Sequence, residues 1–136
     1  MAGVQNGPIP TTLTLLSNLR NFAPGTKVRF LGCVKNYVTK TGILTLEHNH
    51  PQGQPLKALV NIDLILSTIK SHETRVGEWV NVMGYIHADS QSNSKHPGAN
   101  DSVVQVQALV LWSSGPFDLQ AYERSLDEQN SNRDSG

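Results

Sequence analysis

Between Lys27 and Val38 the chain reads KVRFLGCVKNYV, with Val28, Phe30, Val34 and Val38 on one parity around Gly32. Arg29, Leu31, Cys33, Lys35 and Tyr37 fall on the other. A period of two sends alternate side chains to opposite faces, so the stretch predicts a strand with one buried face, and its mid-strand glycine predicts a bulge or sharp bend. Thr39-Lys40-Thr41-Gly42 is a turn into a second strand, ILTLEHN, and a third follows at LKALVNI. Asp63 then opens DLILSTIKS as an N-cap, and Leu64, Ile65, Leu66 and Ile69 give a short helix its apolar face. The fourth strand, RVGEWVNVMGYIHA, sets Val80, Val82, Gly84 and Ile86 against Trp79, Asn81, Met83 and Tyr85. After a polar loop over 88–101 comes a fifth, SVVQVQALVLW, with Val104, Val106, Ala108 and Val110 inward and Leu109 and Leu111 outward. FDLQAYERSLDEQ closes the pattern: Leu119, Tyr122 and Leu126 at i, i+3 and i+7 make one stripe of a helix, with Asp118 favourable near its N-terminus.

Five strands, a short helix between the third and fourth, and glycines inside the first and fourth match the order of an OB-fold barrel. Closure removes the edges of a small sheet, and bends let long strands serve both sides of it. The fold expected is therefore all-β, a five-stranded OB-fold barrel with a C-terminal helix. An SH3-like barrel, the nearest rival, has no use for an apolar helix at that point. Residues 11–129 form the single domain, while 1–10 and 130–136 are expected to be disordered. The leucines at 13, 15, 16 and 19 form a segment too short to be stable alone, so it must lie on something.

Composition narrows the function. The 136 residues carry a net charge of zero, so the molecule as a whole exerts no long-range pull on a polyanion. Charge is unevenly spread, however: six Lys/Arg against Glu47 alone before residue 60, and five acids against Arg124 and Arg133 after residue 117. One cysteine, Cys33, excludes an internal disulfide and suits a reducing compartment. No apolar run reaches the ~18 residues of a membrane span, and MAGVQNGPIP lacks the charged and apolar regions of a signal peptide; a soluble, intracellular chain is expected.

The stretch TLEHNHPQGQ places His48 and His50 beside Glu47, a cluster that invites a metal. A catalytic zinc needs at least one further ligand and a structural one usually two, and His72, His87 and His96 show no ligand spacing. The simpler reading is a turn: Pro51 ends the strand pairing and Gly53 takes positive φ. Phosphate loops, nucleophile elbows and H-E-x-x-H are absent, and nothing near Cys33 in sequence lowers its pKa. No enzyme, catalytic residue, metal or cofactor is expected.

OB barrels bind oligonucleotides by stacking bases and tracking phosphates across their second and third strands and adjoining loops. On that geometry Lys35, Tyr37, Lys40, Lys57 and Lys95 are the candidates for nucleic acid, with His96 beside Lys95. One aromatic and four lysines make a thin groove, so any such contact is auxiliary. A protein partner suits the outward apolar residues better, namely Leu31, Cys33, Trp79, Met83, Tyr85, Leu109 and Leu111, together with the helix stripe Leu119, Tyr122 and Leu126. The alternative is that the stripe packs on its own barrel.

KVRFLGCVKNYV, LTLEHNHP, VGEWVNVMGYI and VQALVLWSSGPFDLQAYE, in this order, resemble the smallest subunit of the fungal CST telomere-capping complex, the Ten-one family. The likeness spans about residues 8 to 124, with FLGCV, LEHN, GEWVNVMGY and ALVLWS its most distinctive pieces. It implies an OB protein that pairs with the middle OB subunit of CST, reaches the large subunit through it, and helps hold single-stranded telomeric DNA at the telomere, in the nucleus. It also implies that Arg29 lies near the partner interface and that the helix stripe is a second contact. His50 departs from the pattern, which often has an aromatic after LEHN. Two readings compete with this one: a stand-alone OB module for single-stranded DNA or RNA, and a metal-dependent enzyme using His48 and His50.

Overall fold

The computed structural model describes residues 10–53, 56–87 and 103–135, the last six of these as backbone only. Strand β1 (Thr12–Leu13) is short, and β2 (Lys27–Val38) is the long strand on which closure depends. The first half of β2, Lys27 to Cys33, pairs antiparallel with β5 (Trp79–Ile86), and the second, Cys33 to Val38, with β3 (Ile43–Glu47). From β3 the sheet continues through β4 (Lys57–Asn61), which runs parallel to β6 (Val103–Ser113), and β6 returns antiparallel to β5. The ring β2, β3, β4, β6, β5 is a closed, five-stranded mixed barrel of the OB type. Helix α1 (Leu119–Ser135) follows it.

Phe30, Leu44, Leu46, Val60, Val80, Val82 and Ala108 fill the interior. One end of it is plugged from upstream of the first barrel strand: Leu16 and Leu19, on a 3-10 helix over Leu16–Asn21, are fully buried in the same core. This is what the N-terminal leucines lie on. Gly32 makes the approach possible, because a Cβ there would stand 2.8 Å from Leu46 Cβ and 3.0 Å from Leu16 Cδ1. It sits immediately before the point where β2 changes partners, so its missing side chain serves both the bend and the plug.

Two bulges invert the inward and outward assignments read from strict alternation. In β2 the register passes from Val34 opposite Leu46 to Asn36 opposite Thr45, leaving Lys35 as an extra residue. Beyond it Tyr37, paired with Leu44, packs on the core, and Val38 turns outward at 41% exposure. In β6, Met83 faces Val110 while Gly84 faces Ala108, so Leu109 is the extra residue. Leu111 therefore joins the core, and Val110, expected inside, is 44% exposed. Gly84 permits this bulge, since a Cβ there would be driven into the Gln107 carbonyl oxygen.

In place of the short helix expected in DLILSTIKS there is a 3-10 turn over Asp63–Ile65, and a second, Ser71–Thr74, starts only at the last residue of that stretch. Asp63 is not its cap; the Asn61 side-chain oxygen accepts the Asp63 N–H at 2.9 Å. Ile65 is buried and Ile69 packs half-buried against the core, while Leu64 and Leu66 point to solvent, because a 3-10 turn brings fewer residues to one face than the α-helical face inferred. Helix α1 runs on through Ser135, taking in residues 130–135 that were expected to form a loose tail. The expectations for residues 1–9, for the loop over 88–101 and for Lys95 and His96 fall outside the described residues.

Candidate partner interface

The outer wall over β2, β5 and β6 is arranged in rows by the strand register. Cys33 lies beside Trp79, Leu31 beside Asn81 and Trp112, and Arg29 beside Met83 and Val110. Helix α1 caps the upper part of this wall. Its inner stripe is Leu119, Tyr122 and Leu126, and Leu126 is only 3% exposed. The Tyr122 ring lies 6.3 Å from that of His48, and Phe117, just before the helix, stands edge-on to Trp79 at 6.1 Å. Leu31 is buried as completely as a core residue. The stripe is therefore engaged within this chain.

The two histidines fasten that helix. His48 Nε2 is 2.7 Å from the Glu123 carboxylate, and His50 Nε2 is 3.0 Å from that of Asp127. His50 Nδ1 also approaches Glu123 at 3.5 Å. Their loop is held from the other side by Ser17, whose hydroxyl donates to the His50 carbonyl at 2.7 Å. His50-Pro51 is a cis peptide and Gly53 has φ 87°, in keeping with the expected turn. Among the described residues, no group of three or more His, Cys, Asp and Glu side chains is arranged to hold a metal ion. Nor is any described helix long and apolar enough to cross a membrane.

Burial pushes the Cys33 thiol up from its ordinary pKa, with Lys35 opposing, which favours the neutral thiol within the wall. Burial likewise raises the Tyr122 phenol, with Arg29 opposing, and among the described residues its hydroxyl has no hydrogen-bond partner. Below the helix the wall is less covered. Arg29 reaches 5.2 Å from the Trp112 ring centroid, a cation–π distance, and Thr11 donates to the Met83 sulfur at 3.8 Å. Met83 and Tyr85 are half-buried, and Val110 and Arg29 are exposed. Val110 and Trp112 were missed as outward residues; the signal was Gly84, whose partner strand had to bulge.

Among the described residues, Lys35, Lys40 and Lys57 are exposed, while Tyr37 is half-buried and packs against the core. Glu47 lies between the lysine-bearing strands, directly opposite Cys33 on one side and Lys57 on the other, with its carboxylate 4.0 Å from the Lys57 ammonium.

Comparisons with known proteins bear on this geometry. Against solved structures, the chain is 23% identical to a partner in the S. pombe Stn1–Ten1 complex, with 92% of this chain and 96% of that one covered at a TM-score of 0.66. It is also 23% identical to S. pombe telomere capping protein Ten1 on its own, covering 90% and 99% at 0.64. Replication protein A of U. maydis bound to single-stranded DNA is similar at 16% identity, 92% and 94% coverage and a TM-score of 0.58. At these identities the likenesses establish the barrel alone. No curated protein matches in direct sequence comparison. The family described as "Telomere capping, CST complex subunit", Ten1, matches over residues 1–127, and the chain belongs to that family.

Proposed function

We propose that this chain is a non-enzymatic telomere-capping subunit that pairs with the middle OB subunit of the CST complex and reaches the large subunit through it. It adds auxiliary contacts to single-stranded telomeric DNA at the telomere, in the nucleus. The observation that carries the reading is the row Arg29, Met83 and Val110, flanked by Tyr85, left open below a helix that caps the rest of the same wall. Half-buried apolar groups beside an arginine are the composition of an interface core, which a barrel exterior facing only water does not require. S. pombe Ten1 is itself found in a complex with Stn1.

Among the residues proposed for the partner, Arg29, Met83 and Tyr85 offer direct contact. Leu31 and Leu126 act by keeping the capped wall intact, and Trp79, Leu119 and Tyr122 border its seam. Lys35, Lys40 and Lys57 supply phosphate contacts that weaken with salt, with the partner providing the main DNA surface. Tyr37 is better counted with the core, which is also why the stand-alone nucleic-acid module is the weaker reading.

The test is co-purification with the middle subunit. Met83→Glu should abolish the complex while the barrel keeps its melting temperature, and retention of wild-type affinity would remove this wall from the interface. Lys35→Ala and Lys57→Ala should each reduce the salt dependence of DNA binding by the pair by about one unit of slope. Nanomolar DNA affinity of the isolated chain at physiological salt would instead promote the stand-alone module.

A further inference from the structure

Among the described residues, the three most exposed large apolar side chains are Leu64 at 67%, Val76 at 66% and Leu66 at 50%, and all three lie on the crossover that joins β4 to β5. We propose that this crossover is a second docking surface, which receives a short acidic segment with an apolar face from a protein partner. None of its residues belongs to the wall assigned to the middle subunit, so the surface is independent of that pairing.

The two leucines are held in place rather than carried on a loose loop. Ile62 and Ile65, before and after Leu64, are 0% and 8% exposed within the barrel core. The Ile62 N–H donates to the Gly42 carbonyl at 2.9 Å, and the Thr68 and Ile69 N–H groups both return to the Ile65 carbonyl, at 3.0 and 3.1 Å. Further on, the Gly77 N–H donates to the Val34 carbonyl at 2.8 Å, so the crossover is pinned to the barrel at both ends. A single exposed leucine is ordinary on a protein surface, but Leu64 and Leu66 stand on one pinned turn, on either side of a residue sunk in the core. An apolar ridge fixed in this way loses little freedom when a partner covers it.

Charge selects the occupant. The acids of the crossover are already engaged within the chain: Glu73, 7% exposed, accepts the Lys70 N–H at 2.9 Å, Glu78 accepts the Ser113 hydroxyl, and the Asp63 carboxylate packs over Gly42 of the β2–β3 turn. Its cations are not. Lys70 and Arg75 are exposed and make no ion pair with any described residue. Lys70 follows directly on the turn that closes at Ile65, and Arg75 immediately precedes Val76. Open apolar groups therefore stand beside unpaired cations. A nucleic-acid backbone would meet the cations and leave the leucines in water, and a neutral apolar peptide would leave the cations unused. An acidic segment with leucine or phenylalanine along one face uses both.

The test titrates the full chain with a peptide of leucines at helical spacing among glutamates, the same peptide with lysine for glutamate, and single-stranded DNA, following the Leu64 and Leu66 methyl and Lys70 amide NMR signals. The glutamate peptide should shift them and the lysine version should not. Leu66→Gln should weaken the binding about tenfold, and because the side chain is exposed the variant keeps the barrel. Lys70→Glu combined with Arg75→Glu should reverse the preference and accept the lysine peptide, which a merely structural role for these cations does not produce. No shift, equal shifts with both peptides, shifts confined to Met83 and Tyr85, or a response to DNA alone overturns the proposal. Leu64→Gln and Leu66→Gln should each pair with the middle subunit at wild-type affinity, and a tenfold loss there would make the crossover part of that interface and overturn a separate surface. Peptide binding here in a chain that does not pair with the middle subunit would remove the pairing and leave this surface standing.

Discussion

His48 Nε2 lies 2.7 Å from the Glu123 carboxylate, joining the end of β3 to helix α1 across 75 positions of sequence. The histidine side chain is 2% exposed and the glutamate 18%, so the contact is shielded from water on one side. Replacing Glu123 with Ala leaves a buried ring with neither nitrogen paired among the described residues, at a cost of about 1–3 kcal/mol. Hydrogen exchange should then accelerate in α1 while the amides of β2 and β5 stay protected.

Tyr122 behaves in the opposite sense. Its hydroxyl is buried with no partner among the described residues, so Tyr122→Phe removes a desolvated group and should raise stability in urea by about 1 kcal/mol. The pH dependence follows from its raised phenol pKa. The unfolded chain ionises first, at the ordinary tyrosine value, and binds fewer protons than the folded one between that value and the raised one. Stability therefore falls as pH climbs through this window, and the phenylalanine variant should lose less there. Cys33 is raised by burial too, so part of the alkaline loss should remain in that variant.

Gly84→Ala should be among the more damaging single substitutions. Its Cβ would collide with the backbone carbonyl of Gln107 rather than with a mobile side chain, so β6 must shift. A loss at or above the upper end of ~1–3 kcal/mol is expected, read from chemical denaturation.

Leu64→Gln and Leu66→Gln should each change stability by less than ~0.5 kcal/mol, since the side chains are 67% and 50% exposed. An amphipathic helix packed through these leucines would give a loss of several times that size, so the same denaturation measurement distinguishes the two arrangements.

Strand order, closure and the Gly32 bend were legible because a buried face imposes period two and the sequence kept that period through five segments. Alternation failed at Lys35 and Leu109, where one extra residue turns every later side chain over. A bulge is written in both strands at once, and Gly84 announces its half without saying which residue of β6 will be surplus. In the same way, the Leu119, Tyr122 and Leu126 stripe was visible, but its landing place was not. That depended on Glu123 and Asp127 meeting histidines far away in sequence, a pairing that no local spacing reveals.

Leu16 and Leu19 are made before any barrel strand, yet they seal the end of a cylinder that closes only when β6 joins β4 and β5. During synthesis these side chains have no closed end to cover until β6 has been made. These two leucines therefore stay uncovered long after they are made, a transient exposure of apolar surface that the finished barrel removes.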